Sequence, residues 1–500
     1  MPELSTAPAK IPTKVHVAIV GAGASGVVLA SALVRPPAMF DVALIDPEPG
    51  GGPAYGGSDE GRPLNTRVGM MSLDPRSPAG FRRFLELRHP REEGWNDDDF
   101  APRPFFGAYL KHRLQTLQDR TPGLGSTQLV RDQVVAASRG PDGWTLRLKS
   151  GRRIEAAVVV LATGSARPRP LIFHGRDAIE AYVQDDPWDE AALASLPRGG
   201  RVLLVGTGLT AMDVACALLR RDPEVQVVAV SRHGLLPRMH ASPAPGAPAL
   251  KPPYPTTARE LYAKLRAAAE FVEGDRQLRH GVFLNLRDIG AEIWAGLPQE
   301  ERAMFLRHFR RYWDVERHRL PPAQSDTIAR AIIEERLELV RGRVAEAKAL
   351  KSGRDTRVAL LSSSGPLAID VRRVINCTGP EPDVFRSRNP LLLDLLAQGL
   401  VSADPLGLGL EVDADGAALA GDGQVTPGLF ALGPPTLGRF FEVSQVAQIR
   451  DRAERLAELI IADRAAPALA PQGHFASGGI ELRIDSTLPP VFRPKVVPRS

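Results

Sequence analysis

Apolar positions along the 500-residue chain fall into short continuous runs, alternating runs and helical stripes, and one ordered set of these occurs twice. The first set opens at residues 15–20 (VHVAIV), a continuous apolar run of strand length that reads as a buried strand. It runs into Gly21-Ala-Gly23-Ala-Ser-Gly26, an apolar helical segment (VVLASAL) and a second strand at 40–45 (FDVALI). The second set opens at 201–205 (RVLLV), runs into Gly206-Thr-Gly208-Leu-Thr-Ala211 and the helical segment MDVACALL, and reaches its second strand at 225–230 (VQVVAV). Each set then enters alternating segments that read as a β-meander: TQLVRDQVVAAS, WTLRLKS and RRIEAAVVVLATG in the first, LELVRGRVAEAKA, TRVALLSS and LAIDVRRVINCTG in the second. Both meanders close on a Thr-Gly pair, Thr163-Gly164 and Thr378-Gly379.

One strand, glycine turn and helix is a weak signal. Two with matched second strands, matched endings and matched spacing are strong. Gly26 to Asp46 is 20 positions, as is Ala211 to Ser231, the distance at which a residue reaches the ribose of a bound adenosine. Glycine suits such turns because a pyrophosphate must lie against the free N–H groups of a helix N-terminus, where side chains would block it. Gly26 and Ala211 are the small residues that let each helix pack on its strand. Asp46 can accept both hydroxyls of a ribose without a 2′-phosphate, which suits FAD or NAD; the equivalent Ser231-Arg232-His233 has no acid and suits the 2′-phosphate of NADPH.

The length predicts two or three domains. We read 1–175 as the first part of an FAD domain, 196–375 as an NADPH domain, 376–463 as the second part of the FAD domain and 464–500 as a proline-rich tail. That tail is expected to lie extended on the surface or to be partly disordered. From Gly206 to Gly379 is 173 positions against 143 from Gly21 to Gly164. The excess is a helical insertion at 236–327, with a proline-rich entry and segments such as TARELYAKLRAAAEFVEG and EERAMFLRHFRRYWDVERH. A further helix is expected from about residue 441 to 461.

Composition removes several function classes. The net charge of +5 (63 Lys and Arg, 58 Asp and Glu) is spread along the chain rather than clustered, which argues against a nucleic-acid partner. The one dense basic stretch, 307–319 (RHFRRYWDVERHR), reads as a solvated helix face. Cys216 and Cys377 stand far apart with no C-x-x-C, so redox work must sit on a cofactor, and no metal-ligand spacing occurs. No run approaches the roughly 18 apolar residues of a membrane span, and no apolar signal core precedes the first strand, so a cytoplasmic location is expected.

Several motifs together resemble a known group. They are Gly21 to Gly26, Pro53-Ala-Tyr55-Gly, Leu64-Asn65, Phe100-Ala-Pro-Arg103-Pro-Phe-Phe-Gly107, Ala162-Thr-Gly164, Gly206 to Asp213, Ser231 to Pro237, Trp313 to Arg319, Asn376 to Pro380 and Leu429-Phe-Ala-Leu-Gly433-Pro. The chain resembles bacterial FAD/NAD(P)-binding proteins with tandem Rossmann-type domains, related to NADPH-dependent flavin monooxygenases and glutathione-reductase-like flavoproteins. The resemblance implies an α/β fold with the NAD(P) domain inserted in the FAD domain. It implies that Asn65 and Arg103 lie along FAD, and that Gly433 and the following helix N-terminus approach the flavin ring. His318, Arg319 and Glu442 are catalytic candidates by family position only. The Baeyer–Villiger fingerprint is incomplete: after Phe173-His-Gly175, Ile179 and Val183 stand where its His and Trp belong.

The expected activity is NADPH-driven oxygenation of a small molecule at nitrogen, sulfur or carbon, using O2 and passing through a flavin hydroperoxide. The insertion, with Trp294, Phe305, Phe309, Tyr312 and Trp313, would be a lid separable from cofactor binding. The alternatives are an NADPH-dependent reductase or oxidase without oxygen insertion, and a non-catalytic redox sensor.

Overall fold

In the computed structural model, residues 12–120, 125–242, 245–351 and 353–465 are described. The proline-rich tail lies, from residue 466 on, outside them.

The strands form two sheets. The first takes β1 (Lys14–Val20), β2 (Val42–Ile45), β3 (Thr127–Val130), β4 (Val134–Gly140), β5 (Gly143–Leu148) and β6 (Arg153–Leu161). The second takes β7 (Val183–Gln184), β8 (Gly200–Val205), β9 (Val225–Ser231), β10 (Leu337–Ala349), β11 (Thr356–Ser362), β12 (Gly365–Val371) and β13 (Arg373–Asn376). The chain then returns to the first sheet with β14 (Ala417–Leu419) and β15 (Val425–Ala431), and β15 lies parallel to β6. The strand orders are β14-β15-β6-β1-β2-β3 and β12-β11-β10-β9-β8-β13-β7. One dinucleotide-binding fold is thus inserted in another.

Both faces of each sheet are covered, which is why the central strands read as unbroken apolar runs. In β1, Val17 and Ile19 join one core with the helices Ala24–Leu33 and Arg103–Gln118, while Ala18 and Val20 join another with Trp144 and Leu391. In β8 and β9, Val202, Leu204, Val227 and Ala229 face the helix Leu209–Arg221, while Leu203, Val228 and Val230 face the meander.

Each expected meander proves to be a third parallel strand followed by an antiparallel excursion. β3 pairs parallel with β2, and the first residues of β10 pair parallel with β9 before its remainder turns antiparallel to β11. The last segment of the second meander is two strands: β12 closes the excursion, and β13 joins β8 in parallel. Alternation records burial, not the direction of the partner strand.

The insertion contains the helices Ala258–Phe271, Arg276–Leu284, Leu286–Gly296, Gln299–His308 and Arg310–Arg317. Thr257 caps the first by accepting the Glu260 N–H, and Asp275 caps the second. The helix Pro322–Ile333 straddles residue 327 but belongs to the second sheet's helical layer, where Ile328 and Ala331 pack beside Met212 and Cys216. The last helix is Val446–Ala465, not a helix from 441; Leu437–Phe440 makes one short turn before it, and Phe441 at φ 57 breaks the chain direction.

Candidate functional site

The two glycine turns are nearly superimposable in their physics. Gly21 (φ 114) and Gly206 (φ 125) occupy backbone that side-chain-bearing residues rarely adopt. A Cβ on Gly21 would stand 2.2 Å from the Ala162 carbonyl oxygen, and one on Gly206 2.3 Å from that of Cys377. Each turn is therefore pressed against the strand that ends in its Thr-Gly. Gly23 and Gly208, the N-caps of the helices Ala24–Leu33 and Leu209–Arg221, have nothing within 4 Å of such a Cβ. Protein packing does not require glycine there, so each turn keeps an open cradle. Neither helix has a side-chain cap or an acidic residue in its first turn, leaving the positive end of its dipole uncompensated. A pyrophosphate fits this pair of cradles.

The turns differ where the duplication diverges. A Cβ on Gly26 would meet the Gly21 oxygen at 1.9 Å, whereas the second unit accommodates Ala211, fully buried. Asp46 is fixed by two backbone donors, accepting Ala22 N–H at 2.7 Å and Glu48 N–H at 2.8 Å. A carboxylate has further lone pairs, so it can still accept ribose hydroxyls. In the second unit a hydroxyl pair replaces it: Ser231 Oγ lies 2.9 Å from Thr207 Oγ1 and accepts the Gly234 N–H at 3.0 Å, while Thr207 donates to the Leu235 carbonyl at 2.6 Å. Ser231 is occupied in holding the turn. Arg232 is exposed beside it.

The remaining expected site residues scatter. Thr163 and Gly164 follow the Ala162 carbonyl that meets Gly21, and Gly379 (φ 90) follows the equivalent position in the second unit. Asn65 is half-buried, its carbonyl 2.9 Å from His240 Nε2 and its amide without a partner among the described residues. Arg103 reaches the second unit, donating to Asp213 Oδ2 at 3.2 Å, while Gln324 donates to the other oxygen of that buried carboxylate at 2.7 Å. Arg62 and Arg103 both lie over the Trp188 ring, at 5.6 and 5.7 Å. Nothing in the chain around Trp188 signals this junction. Gly433 (φ 77) packs on the first helix, where a Cβ would come within 2.4 Å of Ser25 Oγ. The returning chain thus abuts the first nucleotide cradle.

His318, Arg319 and Glu442 do not form a cluster of free side chains. His318 pairs with Asp314 at 3.4 Å. Arg319 is buried, donating to the carbonyls of Glu316 and Met239 and to the Glu316 carboxylate; burial, with Arg238, Arg279 and Arg317 nearby, pulls its pKa to about 10 against the attraction of Glu316. Glu442 is buried and accepts from Trp313 Nε1 at 3.1 Å and from both Nε and Nη2 of Arg317. The stretch 307–319 is accordingly solvated on one side only: Arg307, His308 and Tyr312 are exposed, whereas Trp313, Glu316, Arg317 and Arg319 are buried. Buried Glu316 accepts from buried Arg319, partly buried Arg279 and exposed Arg238; helical pattern shows spacing, not which charges meet partners across the fold.

Nor is the insertion a detached lid. Trp294 stacks on Phe441 at 4.3 Å and donates to the Gly438 carbonyl at 2.8 Å, and Leu408, Phe305 and Trp313 complete one apolar cluster. Trp294, Phe305 and Trp313 are buried in it and Phe309 packs against it; Tyr312 is exposed.

These features define a chain shaped for two dinucleotides in tandem. Residues 18–166 match the model of the FAD-NAD(P)-binding family. Among solved structures, the ornithine N-hydroxylase of Kutzneria sp. 744 is similar over 91% of this chain and 100% of its own, with TM-score 0.61 and 19% identity. The cadaverine monooxygenase of Erwinia amylovora is similar over 94% and 100%, with TM-score 0.63 and 14% identity. Mouse apoptosis-inducing factor 3 is 25% identical over 213 residues, 43% of this chain, which spans only 27% of that relative's length. The fold is that of FAD- and NAD(P)-dependent oxidoreductases. No helix among the described residues is long and apolar enough to cross a membrane.

Proposed function

We propose that the protein is an FAD-dependent monooxygenase reduced by NADPH, acting on a small molecule. The observation that carries this reading is the pair of open glycine cradles in one chain whose only thiols are sealed: burial pushes Cys216 to about 12 and drives Cys377 higher still. A buried thiol of that kind is not a nucleophile or electron relay. Bound between those cradles, FAD would supply the electron transfer and the activation of O2. In balance, NADPH, a proton, O2 and the substrate give NADP+, water and the oxygenated product.

The chain's own task is to bind and enclose. Gly21, Gly23 and the helix Ala24–Leu33 would hold one pyrophosphate, with Asp46 on its ribose; Gly206, Gly208 and the helix Leu209–Arg221 would hold the other. The Arg103–Asp213 contact sets one unit against the other. The insertion, fastened through Trp294 and Glu442 to the segment after Gly433, would keep water from that end of the site. The similarity to amine-hydroxylating monooxygenases over nearly the whole chain supports the same reading.

Anaerobic reduction with NADPH followed by exposure to 18O2, with spectra and product mass recorded, tests it. Bleaching and one labelled oxygen in product are expected. Quantitative peroxide release with every substrate tried would replace the proposal by an oxidase, and no bleaching at all by a redox sensor.

A further inference from the structure

At the end of β9, three arginines surround His233, and none of them meets a carboxylate among the described residues. Arg232 follows Ser231 at the strand end, and Arg341 of β10 is the cross-strand partner of Ser231. Gly234, with φ 61, brings the turn down on Arg341, whose Cβ would lie 3.2 Å from a Cβ on the glycine. The inserted helix Arg310–Arg317 lies alongside, because Arg238 N–H donates to the Val315 carbonyl at 3.1 Å, and the charge of its Arg311 is felt at His233. None of the three makes an ion pair among the described residues, although Arg310, next in the chain, pairs with Asp314. Arg311 Nε is buried with no hydrogen-bond partner; its Nη1 reaches the Arg307 carbonyl at 3.5 Å and its guanidinium lies 4.7 Å over the Tyr312 ring, contacts that leave its charge without an anion. His233 sits among them, and burial together with Arg311, Arg232 and Arg341 holds its imidazole below the ordinary pKa.

Like charges left together with a buried donor unsatisfied are costly unless an anion completes them. The place is the one where Asp46 stands in the first unit, at the adenosine ribose, and Ser231 is already committed to Thr207 and Gly234. We propose that Arg232, Arg311 and Arg341 form the cradle of the coenzyme's 2′-phosphate, so that the helical insertion itself contributes to the choice of NADPH over NADH. The proposal rests on the reading of the second unit as an NADPH site. It also gives the helix Arg310–Arg317 two attachments: Arg311 at the coenzyme and Arg317 at Glu442, beside the segment that follows Gly433.

Binding of 2′,5′-ADP and 5′-AMP to the FAD-loaded full chain, measured by calorimetry, tests it without any oxygen chemistry. Wild type should bind 2′,5′-ADP at least tenfold tighter. Arg311→Gln and Arg341→Gln should each lose about tenfold or more for 2′,5′-ADP, as for a charge-assisted hydrogen bond, with 5′-AMP within about twofold and FAD content unchanged. Arg310→Gln, the neighbouring control, should alter neither. Equal loss for both nucleotides, no loss in either variant, or no wild-type preference would each overturn the cradle. Retained 2′,5′-ADP preference in a protein that never oxygenates would defeat the monooxygenase reading alone.

Discussion

Gly21 and Gly23 stand two residues apart and are glycines for different reasons. The first has a left-handed φ and a carbonyl 2.2 Å from any Cβ, so the fold itself excludes a side chain; the second faces open space. Gly21→Ala should therefore cost about 3 kcal/mol or more in unfolding stability. Gly23→Ala should unfold within about 0.5 kcal/mol of wild type but hold FAD about tenfold more weakly; chemical denaturation and flavin release on dilution separate the two. An unchanged flavin affinity in Gly23→Ala would mean that the open cradle faces no cofactor. Cys216→Ala and Cys377→Ala should keep NADPH-driven flavin bleaching, since both thiols are buried and protonated at neutral pH. Loss of bleaching in a folded variant would reopen thiol chemistry.

At the scale of elements, the insertion differs most from its reading in sequence. Helical spacing made the helices near 258 and 300 legible; the cap at Thr257, which accepts the Glu260 N–H, came with the structure. What they pack against was not, because Phe441 and Glu442 lie far along the chain in a segment with its own local pattern. Replacing 256–320 by a linker would strand the Glu442 carboxylate and uncover Phe441 and Leu408. That exchange should destabilise the segment after Gly433 and lose FAD, whereas a free lid would leave FAD in place. A gentler test is a double-mutant cycle: Arg317→Met should cost about 3–5 kcal/mol by leaving a buried charge unpaired, and Arg317→Met with Glu442→Leu clearly less. Additive losses in urea unfolding would show that the two residues act apart.

Across the whole molecule, the junction of the two units carries a pair of neutral histidines. His240 Nε2 meets the Asn65 carbonyl and His280 Nδ1 the Ala241 carbonyl, while Arg67 donates to Ala241 from the first unit. Burial takes His240 to about 3 and His280 to about 4, helped by Arg67 and Arg319. Because the unfolded histidines take up protons near pH 6.5 and the folded ones do not, the native state is favoured above pH 6.5. That advantage shrinks as pH falls from 6.5 towards 4. Unfolding stability in urea should drop between pH 7 and pH 5, by about 2 kcal/mol per histidine, and a His240→Phe/His280→Phe variant should drop less. An identical pH profile in the variant would assign the acid sensitivity elsewhere.

The chain's pattern alone determined the duplicated strand–turn–helix units, the cradle glycines and the Asp46 against Ser231-Arg232 contrast. Each of these is local: a buried strand must be apolar on both faces, and a positive φ or a close carbonyl must be glycine, wherever the rest of the chain goes. The tertiary structure decided which charges meet. It placed Arg103 on Asp213, Arg317 on Glu442, Arg319 on Glu316, and Arg311 and Arg341 within reach of His233. Those partners lie from three to more than a hundred residues apart, and a side chain's sequence neighbourhood does not encode whether it ends in water, on a carboxylate, or without a counter-charge. Only the packing of one unit and its insertion against the other resolves that, because the cost of burying a charge is set by what surrounds it in space.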